Sequence, residues 1–153
     1  MASKVKSSTL NVSVKEDITL NGIRHFYESK QAIADINMVS QRIIRVPTSL
    51  VTALSFGAAV AAGTYVAGDV KYIRVTNLDD TNYITLGLKD STNTESAYFK
   101  LEKGQTMVFR NTKLETNVNG AVWSTAFEDI ETINAQANTA SVDIEIFIAS
   151  SQS

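Results

Sequence analysis

Apolar and polar side chains alternate with a period of two at both ends of the chain. From Ser141 to Ile148 every even position is Val or Ile, while Asp143 and Glu145 point the other way. Successive side chains of a strand face opposite sides of a sheet, so this segment predicts a strand with one buried face. Leu10, Val12 and Val14 alternate with Asn11, Ser13 and Lys15 in the same manner. Met107 and Phe109 repeat the pattern after a Glu102-Lys103-Gly104 turn. Between Val70 and Leu88 the pattern predicts a hairpin. Ile73 and Val75 share one face with Ile84, Leu86 and Leu88, Tyr72, Arg74, Tyr83 and Thr85 take the other, and Asn77-Leu78-Asp79-Asp80-Thr81-Asn82 supplies the turn.

Residues 28–42 are ambiguous. Ala32, Ile33, Ile36, Val39 and Ile43 suit a helical stripe, yet the segment runs into Arg42-Ile43-Ile44-Arg45-Val46-Pro47, which reads as the end of a strand; a long strand with an irregular start is the preferred reading. Further short strands are predicted at Leu50 to Phe56, Ala97 to Leu101 and Phe127 to Ile133, separated by Gly, Asn, Ser and Asp. The chain is rich in Ile, Val and Thr, whose branched Cβ loses freedom in a helix and packs well on a pleated surface. The expectation is an all-β, antiparallel β-sandwich, jelly-roll-like, with at most one short helix. It divides into a flexible N-terminal arm over 1–8, a single sandwich domain over 9–149 and a flexible tail over 150–153.

Composition narrows the chemistry. The 153 residues are the size of one domain. A balance of 14 basic and 16 acidic side chains, net −2, provides no long-range attraction to a phosphate backbone or an anionic membrane. No cysteine is present, which removes disulfides, zinc knuckles, iron–sulfur clusters and thiol nucleophiles. The N-terminal residues lack the apolar run of a signal peptide. The uncharged stretch from Val46 to Gly68 has the length of a membrane span, but its alanines, glycines, threonines and Pro47 make it a poor one. Charge is uneven: residues 1–68 are net basic and residues 69–153 net acidic, a split that can orient one copy against its neighbour.

Candidates for catalysis are sparse. The single histidine, His25, lies in Arg24-His25-Phe26-Tyr27-Glu28, with a surface or interface role preferred over a general base. Gly63-Thr64-Tyr65-Val66-Ala67-Gly68-Asp69 has the two-glycine spacing of a phosphate loop but places Asp69 where a lysine must neutralise phosphate. Asp79-Asp80 lacks the spacing of a calcium loop and reads as a solvated turn. Glu128-Asp129 and Glu131 read as an exposed acidic edge, and a small saccharide-acting enzyme would have only His25 and Glu128 to draw on. No catalytic, cofactor-binding or metal-binding residue is assigned. The residues of interest are contact candidates. Phe56, Val60 and Tyr65 flank or lie in the small, uncharged Gly57 to Gly63 segment, which is either a connection packed beneath its own domain or a loop buried against another subunit. Tyr72, Arg74 and Tyr83 form an aromatic and cationic group that could stack on nucleic acid, the preferred reading being a cross-strand pair within a subunit contact.

The run from Asp69 to Leu86, followed by Leu101-Glu102-Lys103-Gly104-Gln105, resembles small virion proteins of tailed bacteriophages, particularly marine ones. Arg42 to Thr48 and Ala135 to Glu145 also fit, so the resemblance extends from about residue 35 to residue 148. It carries no catalytic signature. It implies a β-rich structural protein of the virion, favoured as a capsid decoration or cement protein on the head surface, made in the bacterial host cytoplasm. The partners it implies are the major capsid protein and copies of the chain itself, by analogy a homotrimer, with no nucleic acid, membrane or cofactor. The alternative is a tail, baseplate, connector or head-fibre component that assembles the particle or recognises a host glycan. A non-viral sugar-binding or adhesion module is a further option.

Overall fold

The structure is a computed structural model that describes residues 5–57, 64–90, 96–110, 115–116 and 127–151. Its strands are β1 (Ser8–Leu20), β2 (Ile23–Ile36), β3 (Met38–Val46), β4 (Val51–Gly57), β5 (Thr64–Val66), β6 (Val70–Asn77), β7 (Ile84–Asp90), β8 (Ser96–Leu101), β9 (Thr106–Phe109), β10 (Glu115–Thr116), β11 (Glu128–Ala137) and β12 (Val142–Ser150). The one helical element among the described residues is a single 3-10 turn at Ala67–Asp69.

The strands pair into two sheets and a separate hairpin. One sheet has the order β3-β12-β6-β9, and the other β5-β4-β11-β7-β8, with β10 beside β11. Setting aside β5 and β10, the chain passes back and forth between β3-β12-β6-β9 and β4-β11-β7-β8, with the consecutive β7 and β8 in one sheet and the first and last strands of the body adjacent. This is the strand order of a jelly roll, in which two sheets close over one core. The expected all-β antiparallel sandwich is therefore the observed fold, with one departure: β5 lies parallel to β4.

Burial follows the period of two. In β12 the even positions Val142, Ile144, Ile146 and Ile148 are buried, facing Ile84, Leu86, Ile130 and Ile133 of the opposite sheet in one core. Each such side chain removed from water contributes roughly 1.5–3 kcal/mol. The odd positions of β12 face outward, where Tyr72 and Phe147 meet edge to face at 5.9 Å between ring centres.

The Val70 to Leu88 pattern has the predicted faces but not the predicted pairing. Ile73, Val75, Ile84, Leu86 and Leu88 all enter the core, yet β6 pairs with β12 and β9, and β7 pairs with β11 and β8. The two segments lie in opposite sheets and are no hairpin. Asn77 holds the crossing between them: its amide Nδ2 donates to the carbonyls of Asn82 at 2.9 Å and Leu101 at 3.3 Å, and its Oδ1 accepts from the Asp79 N–H at 2.9 Å.

Residues 28–42 are strand throughout except for Asn37, where β2 ends and β3 begins. The irregularity sits at Asp35, whose φ of 61° bends the chain. The first strand of the two packed sheets is β3. Everything before it from Ser8 forms a hairpin that joins neither sheet. At the other end Ser150 is buried in β12 and the Ser151 N–H donates to the Asp69 carbonyl at 2.9 Å, so order continues past the expected boundary at 149.

The hairpin turns at Asn21-Gly22, with φ of 50° and 78°. Two consecutive positive φ values give a tight two-residue turn whose twist matches that of its strands. Register then runs unbroken from Leu20↔Ile23 to Leu10↔Ile33. A Cβ at Gly22 would meet nothing within 4 Å, so Gly22→Ala is expected to cost about 1 kcal/mol from backbone strain alone. Amide exchange should rise at the tip while the melting temperature of the body stays unchanged.

Candidate interaction surface

The two faces of the β1–β2 arm differ in chemistry. On one, Lys15, Asp17, Arg24 and Phe26 satisfy one another. Arg24 donates to the Asp17 carboxylate at 3.0 and 2.9 Å, and its guanidinium lies 5.0 Å from the Phe26 ring centre, with the Lys15 ammonium at 5.7 Å. On the other, cross-strand register aligns Leu10, Val12, Val14, Ile18 and Leu20 with Ile23, Tyr27 and Ile33. At the base of this stripe Ile33, together with Ile36 where β2 ends, is buried with Tyr72 and Ala149 of the body, and Leu10, Val12 and Phe147 pack alongside. Towards the tip the stripe has no cover: Ile18 is 59%, Ile23 63% and Tyr27 59% exposed.

The outer face of the β3-β12-β6-β9 sheet carries the second exposed apolar group. Val39 and Ile43 of β3 are 56% and 63% exposed, and Val108 of β9 is also exposed. Between them lies a polar latch. Glu145 of β12 accepts from Arg74 of β6 on one oxygen and from Gln41 of β3 at 3.0 Å on the other, and the Arg74 guanidinium lies 5.7 Å from the Phe147 ring centre. The latch ties three strands together, and being half-exposed it contributes about 1 kcal/mol or less.

The contact candidates separate. Phe56 and Tyr65 are buried in the main core, where they fill space within the chain and are not available to a partner. Val60 lies outside the described residues. Tyr72 and Arg74 share the outer face of β6, as expected, but Tyr72 is covered by the arm and Arg74 is engaged by Glu145. Tyr83 does not join them. It precedes β7 in the other sheet, with the Lys100 ammonium 4.1 Å from its ring centre. His25 is exposed on the arm opposite Ile18. Among the described residues no group of three or more His, Asp or Glu side chains is placed to hold a metal ion, and no helix is long and apolar enough to cross a membrane.

Two further features complete the surface. Between β3 and β4 lies an open cleft of about 340 Å³ lined by Arg42, Ile44, Thr52 and Ala53. In it Arg42 Nη2 donates to the Ala53 carbonyl at 2.9 Å, capping a backbone group of β4 outside the Ser55–Gly57 stretch that pairs with β5. On the outer face of the other sheet, Tyr98 is 69% exposed and lies over Gly87, where a Cβ would sit 3.3 Å from its ring. Thr52 and Asn134, hydrogen-bonded at 3.2 Å, share this sheet.

The carboxylates with shifted acidity are structural. The backbone N–H groups of Asn82 and Thr81 hold Asp79 below its ordinary value of 3.8, and the Arg24 guanidinium does the same for Asp17. A folded value beneath the unfolded one contributes stability that is full above pH 3.8 and is lost as pH falls through the folded value. Asp79→Asn should therefore flatten the acid limb of the melting temperature against pH. Asp17→Asn should leave the melting of the body unchanged, because its ion pair lies on the arm. An unaltered acid limb in Asp79→Asn would contradict the assignment.

No family model, curated protein or solved structure matches this chain in comparison with each.

Proposed function

We propose that this chain is a structural protein of a tailed-bacteriophage virion that decorates the outer capsid surface, binding the major capsid protein and copies of itself as a homotrimer to stabilise the shell. The observation that carries the reading is the arm: a projecting hairpin whose apolar stripe is seated on the body only at its base. A two-stranded hairpin is at best marginally stable in water, so a long one with an exposed apolar face suits lasting attachment and becomes rigid on docking. The resemblance of residues 35 to 148 to small virion proteins adds support, as does the use of jelly rolls in viral shells. Fold alone does not assign function.

The test is imaging of purified particles with the chain located in the density, together with its copy number by quantitative mass spectrometry. Many copies distributed over the head are expected. Density confined to the tail or connector would overturn capsid decoration and leave the alternative, a tail, baseplate, connector or head-fibre component. One observation favours that second reading: the exposed Tyr98, on the sheet face that also carries the exposed Thr52, combines an aromatic surface with a hydroxyl, groups of the kind that recognise a glycan. Selective retention on a glycan array, lost in Tyr98→Ala, would support it.

A further inference from the structure

We infer that the uncovered part of the arm is completed by a second copy of this chain, the apolar stripe of one copy lying across the outer face of the β3-β12-β6-β9 sheet of the next. This deepens the self-association within the proposed function by naming the surfaces that meet.

Three observations on the molecule select a second copy as the occupant. First, the stripe already packs on a surface of this kind. Its base, at Ile33 and neighbouring Ile36, is buried against Tyr72 and Ala149 of that same outer face, so the contact sought at the tip continues one that the chain makes at the base. Second, donor and acceptor occur together. Val14, Ile18, Leu20, Ile23 and Tyr27 remain exposed on the arm, and Val39, Ile43 and Val108 remain exposed on the sheet. A foreign partner on the arm would leave the sheet group in water, whereas a head-to-tail contact between copies covers both, and closure into a ring leaves no arm and no sheet uncovered. Third, the dimensions agree. From Ser13 to the turn the arm rises roughly 25 Å at about 3.3 Å per residue, enough to cross four strands spaced about 4.8 Å apart. The eight exposed side chains, five on the arm and three on the sheet, at on the order of 100 Å² each supply about 800 Å² between them, the apolar part of an interface whose standard total is roughly 1,600 Å². Glu16, the one carboxylate of the stripe between Leu10 and Leu20, finds a counter-charge in Arg45, exposed at the far end of β3.

The other face of the arm explains the direction of docking. Its charged groups are paired with each other and with Phe26, so burying it would strip water from ions for no new contact. The apolar stripe brings fewer such groups, Glu16 and His25 among its hydrophobic side chains.

The experiment uses the full-length chain, without particles. Because the chain contains no cysteine, Ile18→Cys and Ile43→Cys can be made in separate preparations and mixed under mild oxidation. A disulfide between the two variants is expected, in yield well above either variant oxidised alone. Sedimentation should show wild-type chain heavier than a monomer, and the double variant Ile18→Asp/Ile23→Asp reduced to a monomer with the melting temperature of the body retained. A wild-type monomer at all concentrations would overturn the proposal, as would a double variant of unchanged mass or a mixed pair that does not cross-link. A monomer that nevertheless binds isolated capsid shells through its arm would assign the stripe to another protein, overturning this inference while leaving the virion reading standing. Association without any location in a virion would do the reverse.

Discussion

Ile146→Ala is expected to destabilise the body by about 3–4 kcal/mol. Ile146 is one of the two central inward residues of β12, 1% exposed, and β12 is flanked on both sides, by β3 and by β6. Truncation removes three carbons' worth of burial and leaves a cavity that two sheets packed face to face cannot close without moving a strand. Chemical denaturation should show a lower midpoint with an unchanged slope. The control is Ile43→Ala, the same substitution on the exposed face of β3, for which less than about 0.5 kcal/mol is expected in the absence of association. Equal losses at the two positions would mean that the faces have been assigned wrongly.

The second large effect is at Asn77, where the polypeptide crosses from one sheet to the other. Its amide is wholly buried and satisfies the Asn82 and Leu101 carbonyls and the Asp79 N–H together. Asn77→Ala would leave these three backbone groups without partners in a dry site, at an expected cost of about 3 kcal/mol. Asn77→Asp should be at least as damaging at neutral pH, since a carboxylate has no hydrogen to offer two carbonyl oxygens. Far-ultraviolet circular dichroism of both variants should keep its β signature while the melting temperature falls. A loss below about 1 kcal/mol in Asn77→Ala would show that water replaces the amide and that the crossing does not depend on it.

The arm illustrates what could be read from the chain and what was missed. Asn21-Gly22 between apolar, alternating segments is the strongest short-range hairpin signal there is, and it marks the turn by which β1 and β2 could have been paired. The alternation of Leu10, Val12 and Val14 was legible as a strand. That the same alternation would lose its cover beyond Val12 was not, because side-chain period reports which residues share a face and says nothing of whether a surface lies opposite. Phe56 and Tyr65 show the converse. Their position beside a small, uncharged segment left open packing beneath their own domain or contact with a neighbour, and the body took them into its own core. Tyr72, Arg74 and Tyr83 were grouped through a hairpin that does not form. The turn residues from Asn77 to Asn82 would fit a hairpin loop or a crossing equally well, and the buried bonds of the Asn77 amide belong to the crossing.

The sequence by itself determined the class of the fold and the two sides of most strands. Branched side chains at alternate positions have one economical way to leave water, and Val142 to Ile148 could hardly have been anything but a half-buried strand. Only the tertiary structure decided which strand lies beside which, that β6 and β7 belong to opposite layers, and that residues 8–36 pair with neither. The reason is that pairing is a competition among many strands with similar faces, settled by how all of them close over one core, and no local pattern records the outcome of that competition.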